Sequence, residues 1–536
     1  MRNGFLAVCR GCLRVGVPLF LLLFSGTMSE GAVHCVDVNA GGANDGSSWA
    51  DAFIDLQSAL SVAVDGDEIW VAAGSYAPTN GIDRTISFVL KNGVALYGGF
   101  AGTETSRGQR DWSAHETVLS GNIGAPGTNT DNSYHVVVGS GTNATAVLDG
   151  FTVLGGYADG GSHEQKSGGG MFIYNGSSTV RNCLFLENTA EYHGGGMFIW
   201  WDQSSPSVTN CTFSGNSANW GGGMCAYLSG APRITDCTFS QNNASGYGGG
   251  MHIHDGGPEV VNSLFWANSA QHDGGGVYTE GGSKPKSFTG CTFSQNSAGE
   301  NGGGLYGRHS GTGLAVTACT FFGNNAQTFG GGMYNWAAGS PAVTNCTFSG
   351  NGSTEGGGMC NSNWSNPTLM NCTFSGNISV SGGKGLHNRV GSAPVATNCI
   401  FWGAGSTVGQ ILNENTASLT VTFSITDQVG TGNLAGDPML GPLADNGGPA
   451  RTHALRDGSA ALDAGTSAGA PATDQRGVSR PQGSAVDMGA FEKGGSVSPT
   501  PTQPPSGGGG GGGGCDAGFS PFALLLVLPL VLSRRW

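Results

Sequence analysis

The stretch Val208-Thr209-Asn210-Cys211-Thr212-Phe213-Ser214-Gly215-Asn216, followed after four intervening residues by Gly221-Gly222-Gly223-Met224, is one unit of a repeat. Working outward from it, glycine triplets start at Gly168, Gly194, Gly221, Gly248, Gly274, Gly302, Gly330 and Gly356. A degenerate copy follows at Gly382-Gly383-Lys384-Gly385, and the step is 26 to 28 residues throughout. Three further columns keep register with the triplets. Cysteines run from Cys183 to Cys399, broken only by Ser263, phenylalanines from Phe185 to Phe374, and asparagines from Asn188 to Asn377. A fixed period in this range is the mark of a solenoid.

The runs after the triplet (Met171-Phe172-Ile173-Tyr174, Met197-Phe198-Ile199-Trp200) and around the cysteine are short, β-prone and bounded by Gly, Asn, Ser and Pro, which reads as strands. The Met column is apolar in every copy and points inward; Cys and Phe, two residues apart, share a face. Before each cysteine-column residue stands Asn182, Asn210, Asp236, Asn262, Gly290, Ala318, Asn345, Asn371 or Asn398. All but Ala318 tolerate the left-handed conformation, so this column predicts a sharp bend between two strands. The fold class that follows is all-β: a parallel β-helix of ~26–28-residue coils spaced about 4.8 Å apart, with the right hand that parallel crossovers favour. Stacked cysteines at that spacing are too far apart, with parallel Cβ vectors, for good disulfide geometry. They are expected to be buried free thiols.

Composition agrees. Glycine is 98 of 536 residues, charged residues are 11% and hydrophobic residues 38%. This much glycine is costly in helices, no Gly-X-Y period marks collagen, and there is enough apolar material to argue against disorder. With a net charge of -14 and only 22 Lys plus Arg, the chain lacks a basic patch for phosphates. Nucleic acid is not an expected partner, and no cofactor is expected.

The ends read as addresses. Residues 1–32 form a secretory signal: Arg2, Arg10 and Arg14, an apolar run Val15–Phe24, then small residues ending near Gly26 or Ala32. Residues 494–514 are a Pro/Thr- and Gly-rich flexible linker. Residues 515–536 carry Cys515, a short apolar run and Arg534-Arg535. Between these lie 33–160, an N-terminal cap and first coils; 161–405, the glycine-rich coils; and 406–493, the last coils and a distinct C-terminal region. A short amphipathic capping helix is predicted over Trp49–Leu60, with Phe53, Leu56 and Leu60 apolar. One continuous capped β-helix through residue 493 is the expectation.

Phe213-Ser214-Gly215-Asn216 with Gly221-Gly222-Gly223-Met224 resembles the repeats of polymorphic outer-membrane-protein-like β-helix proteins. The stretch Gly66–Tyr76 is similar to the first rung of pectin-lyase-like surface proteins. Leu443-Ala444-Asp445-Asn446-Gly447-Gly448-Pro449, Ala461-Leu462-Asp463-Ala464-Gly465, Asp474-Gln475-Arg476-Gly477 and Asp487-Met488-Gly489-Ala490-Phe491-Glu492 resemble a choice-of-anchor Q region. The C-terminal tail resembles Gly-Cys sorting tails of the Synergist type. These resemblances imply a bacterial protein that is exported and then anchored at the cell surface or outer membrane, or secreted. They also imply a processing protease as partner, Cys515 as the processing or attachment point, and membrane contact through the tail alone.

Few motifs point to chemistry. There is no phosphate-loop pattern, no tandem calcium nonapeptide, and neither Asp-Asp nor Gly-His-Gly of polygalacturonase-like sites. Asp463, Asp474 and Asp487 serve the anchor-region resemblance rather than paired-acid catalysis. The candidate catalytic column is His254, Glu280 and Arg308, each six residues after its triplet start, with His252 on the same face and Asp255 and His309 beside it. His252, His254, Asp255 and Glu280 are candidate metal ligands. The competing reading is an exposed, charge-matched stack of small energetic weight. The candidate ligand-binding residues are the outward aromatics Tyr174, Trp200, Tyr227 and Trp336, with Phe172, Phe198, Tyr278, Tyr306 and Tyr334 between them. If exposed, rings recurring every ~4.8 Å match a sugar repeat of roughly 5 Å; the alternative is self-stacking that stabilises the sheet. The favoured function is a non-enzymatic surface adhesin or stalk that binds an extracellular glycan or a neighbouring surface component. The alternative is a secreted polysaccharide lyase or glycoside hydrolase of the pectin-lyase-like fold.

Overall fold

A computed structural model describes residues 31–495 apart from 126, 283 and 309–312. The signal segment before residue 31, His309, most of the linker and the tail with Cys515 lie outside the described residues.

Each coil uses the repeat as four short parallel strands. In the coil around Cys211 they are Ser207–Thr209, Thr212–Ser214, Ser217–Trp220 and Met224–Tyr227. Stacking builds four sheets, named here for their characteristic residue: a Val sheet of 14 strands, a Phe sheet of 12, an Ala sheet of 9 and a Met sheet of 12. The register repeats without slippage in the Val, Phe and Met sheets through the glycine-rich coils, while the Ala sheet shifts between Ala218 and Trp220. Val208 pairs with Ile234, Phe213 with Phe239 and Met224 with Met251. Inward Val, Cys, Phe, Met and Ile side chains form one continuous core. The Phe rings stack face to face at 4.5 to 4.9 Å from Phe185 to Phe401. The eleven described cysteines are all buried, unpaired thiols.

Three local devices make the coil. The predicted bend is present at all nine positions, with φ between 49° and 65°, and Ala318 adopts it at 55°. The asparagine column is a buried ladder. Asn242 Nδ2 donates to Phe213 O of the preceding coil at 2.9 Å and to Asn268 Oδ1 of the next at 2.9 Å, while its N–H also reaches Asn268 Oδ1 at 3.1 Å. The third triplet glycine lets coils touch: a Cβ on Gly223 would stand 2.6 Å from Gly250 O.

The helix is Leu56–Val62, later than predicted. Asp55 caps it by accepting from the Ser58 N–H at 2.8 Å. Residues before the cap are held otherwise: Phe53 N–H donates to Cys35 O at 2.9 Å, and Trp49 Nε1 to Glu104 O at 2.8 Å.

The expectation of coils through residue 493 is corrected. The parallel strands end at Thr420–Thr422, with bridges at Ile425. The chain then folds back along the outside of the bend between the Val and Phe sheets. It carries one antiparallel pair, Leu440–Ala444 with Thr452–Leu455, and a small core including Ile400, Leu455, Met488 and Phe491. Bend asparagines hold it: Asn345 Nδ2 donates to Thr473 O at 2.8 Å, Asn371 Nδ2 to Asp487 O at 3.1 Å and Asn398 Nδ2 to Thr466 O at 2.8 Å. Gln475 reaches Thr320 Oγ1 and Thr347 Oγ1 at 2.7 and 2.6 Å. Asp463, Asp474 and Asp487 accept from backbone N–H groups of this segment, so it satisfies itself without joining a ladder.

Candidate functional site

The Met sheet positions the candidate residues. Its strands alternate, so Met224 and Ala226 are inward while Cys225 and Tyr227 lie on the outer face. Register places Tyr174 beside Trp200, Trp200 beside Tyr227, Tyr227 beside His254, His254 beside Glu280, Glu280 beside Arg308 and Arg308 beside Trp336. The aromatic candidates and the charged candidates are thus one column on seven neighbouring strands.

The rings are less exposed than expected. Tyr174 is 39% exposed, but Trp200, Tyr227 and Trp336 are half-buried, and Phe172, Phe198, Tyr278, Tyr306 and Tyr334 are buried. The stretch just before each triplet, part of it strand, supplies the cover. The His193 ring stacks on Phe198 at 5.1 Å and on Trp220 at 4.7 Å, Tyr247 packs on Tyr278 at 4.9 Å, and Phe329 on Tyr334 at 5.5 Å. A second apolar layer therefore lies outside the sheet, and only the edge of the ring column meets solvent.

At the centre, Glu280 has both oxygens engaged. His254 Nδ1 is 2.8 Å from Oε1; the Tyr278 hydroxyl donates to Oε2 at 3.2 Å, with Arg308 Nη1 3.5 Å away. Burial opposes the Glu280 charge, but the facing imidazoles of His252 and His254 outweigh it and hold the carboxyl far below its usual range. The same hydrogen bond raises His254 against the effect of burial. His252 is the opposite case: burial lowers it, its Nε2 has no hydrogen-bond partner, and that nitrogen stands 3.8 Å from Glu280 Oε1. Behind it the buried Cys225 Sγ lies 3.5 Å from His252 Nδ1 and 3.8 Å from His193 Nδ1. Burial pushes the Cys225 thiol up and His193 down to about 3, so both are neutral. Tyr227 stacks on His254 at 4.5 Å, and Arg308 lies 4.8 Å over the Trp336 ring. As it stands Glu280 is a clamped anion rather than a free general base.

His252, His254, Asp255 and Glu280 do not supply three donors within 4.8 Å of one another. Asp255 instead sits 3.5 Å from His254 Nε2 and lines a cleft of about 360 Å³ at the end of the strands, with Trp201, Asp202, Leu228, Gly282 and Lys284. Lys284 pairs with Asp202 and donates to Ser229 O at 2.8 Å. The sequence reading missed Trp201, which is 45% exposed with its ring 6.0 Å from Tyr174. The doubled tryptophan at 200–201 was the available signal.

The family described as right handed beta helix region matches residues 129–293 and 265–425, more than half of the sequence, and the chain belongs to that family. No curated protein matches it. Among solved structures, pectate lyase Pel9A is similar at 15% identity over 87% of this chain and 98% of that one, with a TM-score of 0.37. A rhamnogalacturonan lyase is similar at 11% identity over 80% and 96%, with a TM-score of 0.31.

Proposed function

We propose that this protein is an exported, surface-anchored β-helix that binds a glycan along the outer edge of the Met sheet and does not cleave it. The observation that carries the reading is the continuity of Tyr174, Trp200 and Tyr227 with His254, Glu280 and Arg308 in one column, one coil apart, beside the cleft lined by Trp201 and Lys284. The exposed Tyr174 and Trp201 rings offer surface on which sugars can stack, and flanking charged groups offer hydrogen bonds to hydroxyls or uronates. Each contact is weak, and affinity comes from several at once. Export and anchoring rest on the signal pattern of residues 1–32, the anchor-region resemblance and the tail with Cys515, which a sorting protease would process.

The test is a glycan array on the full chain, paired with an assay for reducing ends and unsaturated products. Binding of an extended glycan is expected, weakened at least about tenfold in the double variant Tyr174→Ala, Trp201→Ala, whose rings are the exposed ones at this end of the column. Undiminished binding in that folded double variant would remove the reading. A depolymerising activity that disappears in Glu280→Gln would give the site to a polysaccharide lyase or hydrolase instead.

A further inference from the structure

The last three strands of the Met sheet are Met359–Ser362, Leu386–Asn388 and Ile411–Asn413. On their outer face His387 sits in register with Cys360 and Leu412 and is fully buried. Neither of its ring nitrogens has a hydrogen-bond partner. Nδ1 faces Glu355 Oε2 at 3.5 Å, and Nε2 faces Glu414 Oε2 at 3.3 Å. Glu355 Oε2 is also buried without a hydrogen bond, and one donor from each of the three residues lies within 4.8 Å of the others.

A neutral imidazole donates from one nitrogen only, so the lone pair of the other must face a carboxylate. That repulsion, inside a buried pocket, is relieved by a cation: a second proton on the ring or a metal ion. Arg389 supplies one positive charge, with Nη1 3.2 Å from Glu355 Oε2 and Nε 3.8 Å from Glu414 Oε2. Two carboxylates against one guanidinium leave a negative charge over. An ion takes one ring nitrogen: on Nε2 it would have Glu414 Oε2 3.3 Å from that nitrogen, near the ~3.4 Å between neighbouring tetrahedral ligands of zinc at about 2.1 Å, and the three-residue donor set spans no more than 4.8 Å.

We propose that Glu355, His387 and Glu414 hold a divalent first-row transition metal ion of the zinc class, which staples the last three coils together. One imidazole and two carboxylates are a donor set for such ions. The position gives the ion a use: a terminal coil has a neighbour on one side only and is the first to open.

Zinc chloride is titrated calorimetrically into the full chain after chelator treatment, and thermal unfolding is followed with and without zinc. One equivalent should bind at micromolar affinity or tighter and raise the melting temperature. Glu414→Gln, at the half-exposed end of the cluster, should weaken binding at least about tenfold and abolish the zinc-dependent rise, as should His387→Gln. His272→Gln, which removes an exposed His–Glu pair elsewhere, should leave both unchanged. No zinc binding, or one-equivalent binding that survives intact in folded Glu414→Gln, would overturn the proposal. So would a stripped chain in which zinc adds nothing and acidification alone raises the melting temperature, because a proton then closes the cluster.

Discussion

His254 Nδ1 and Glu280 Oε1 lie 2.8 Å apart although one coil of chain separates them, because their strands pair in parallel register. This pairing sets a pH window. His254 is raised above its ordinary 6.5, so its contribution is complete below that pH and is lost as pH climbs through the raised value. Glu280 is lowered from 4.5, so its contribution is complete above that pH and is lost as pH falls toward the lowered value. Between these two limits the pair contributes most. Glu280→Gln should therefore return His254 toward ordinary titration in an NMR pH series. It should cost about 1 kcal/mol near pH 6 and less at pH 9. An unmoved His254 titration would show that the pairing does not exist in solution.

The asparagine ladder should be worth far more than any surface pair. Asn296 Nδ2 donates to Phe265 O at 2.9 Å, and its Oδ1 accepts from Asn268 N and Nδ2, both at 3.0 Å. Asn296→Ala strands Phe265 O and the Asn268 N–H in the interior at roughly 1–3 kcal/mol each and leaves Asn268 Nδ2 only its bond to Phe239 O at 2.8 Å. A loss of at least about 3 kcal/mol in denaturant unfolding is expected. A loss under about 1 kcal/mol would mean that water replaces the amide.

What could be read from the sequence was whatever the period repeats. The bend before the cysteine was legible because Asn182, Asn210 and Asp236 belong to the types that accept positive φ. Ala318 adopts it because paired coils on either side impose it. A second bend was harder to read because glycine marks it in only half of the coils, at Gly215, Gly323, Gly350 and Gly376, while Glu187, Gln241, Ala267 and Gln295 adopt it elsewhere with φ of 52° to 55°. The column from Tyr174 to Trp336 was legible by counting. Its burial was not, since the covering rings of His193, Trp220, Tyr247 and Phe329 come from segments of variable length. The fold-back after residue 425 was hidden for a related reason. Asn345, Asn371 and Asn398 look like bend residues alone, yet their amides also hold the returning segment.

The stacked thiols should be inert until the protein unfolds. Burial pushes the Cys211 and Cys319 thiols well up, and a thiol rather than a thiolate is a poor nucleophile. Iodoacetamide on the native chain should leave Cys211, Cys237, Cys291, Cys319, Cys346 and Cys372 unmodified. After denaturation without reductant, mass spectrometry should find each singly alkylated. Crosslinked peptides joining adjacent coils would refute the thiol ladder.

Two glycine substitutions separate close approach from backbone conformation. A Cβ on Gly276 would stand 2.5 Å from Gly304 O and 3.1 Å from Asn296 Nδ2, both fixed parts of the next coil or the ladder. Gly276→Ala must therefore push coils apart, at a cost of at least about 3 kcal/mol, the scale of severe core lesions. Gly350, in contrast, has φ of 62° and nothing within 4 Å of a Cβ, and the equivalent positions in other coils hold Glu187, Gln241 and Gln295. Gly350→Asn keeps a residue type that accepts left-handed φ and should change stability by less than about 1 kcal/mol. Equal denaturation midpoints for Gly276→Ala and the parent would show that the triplet's third glycine does not set the spacing between coils.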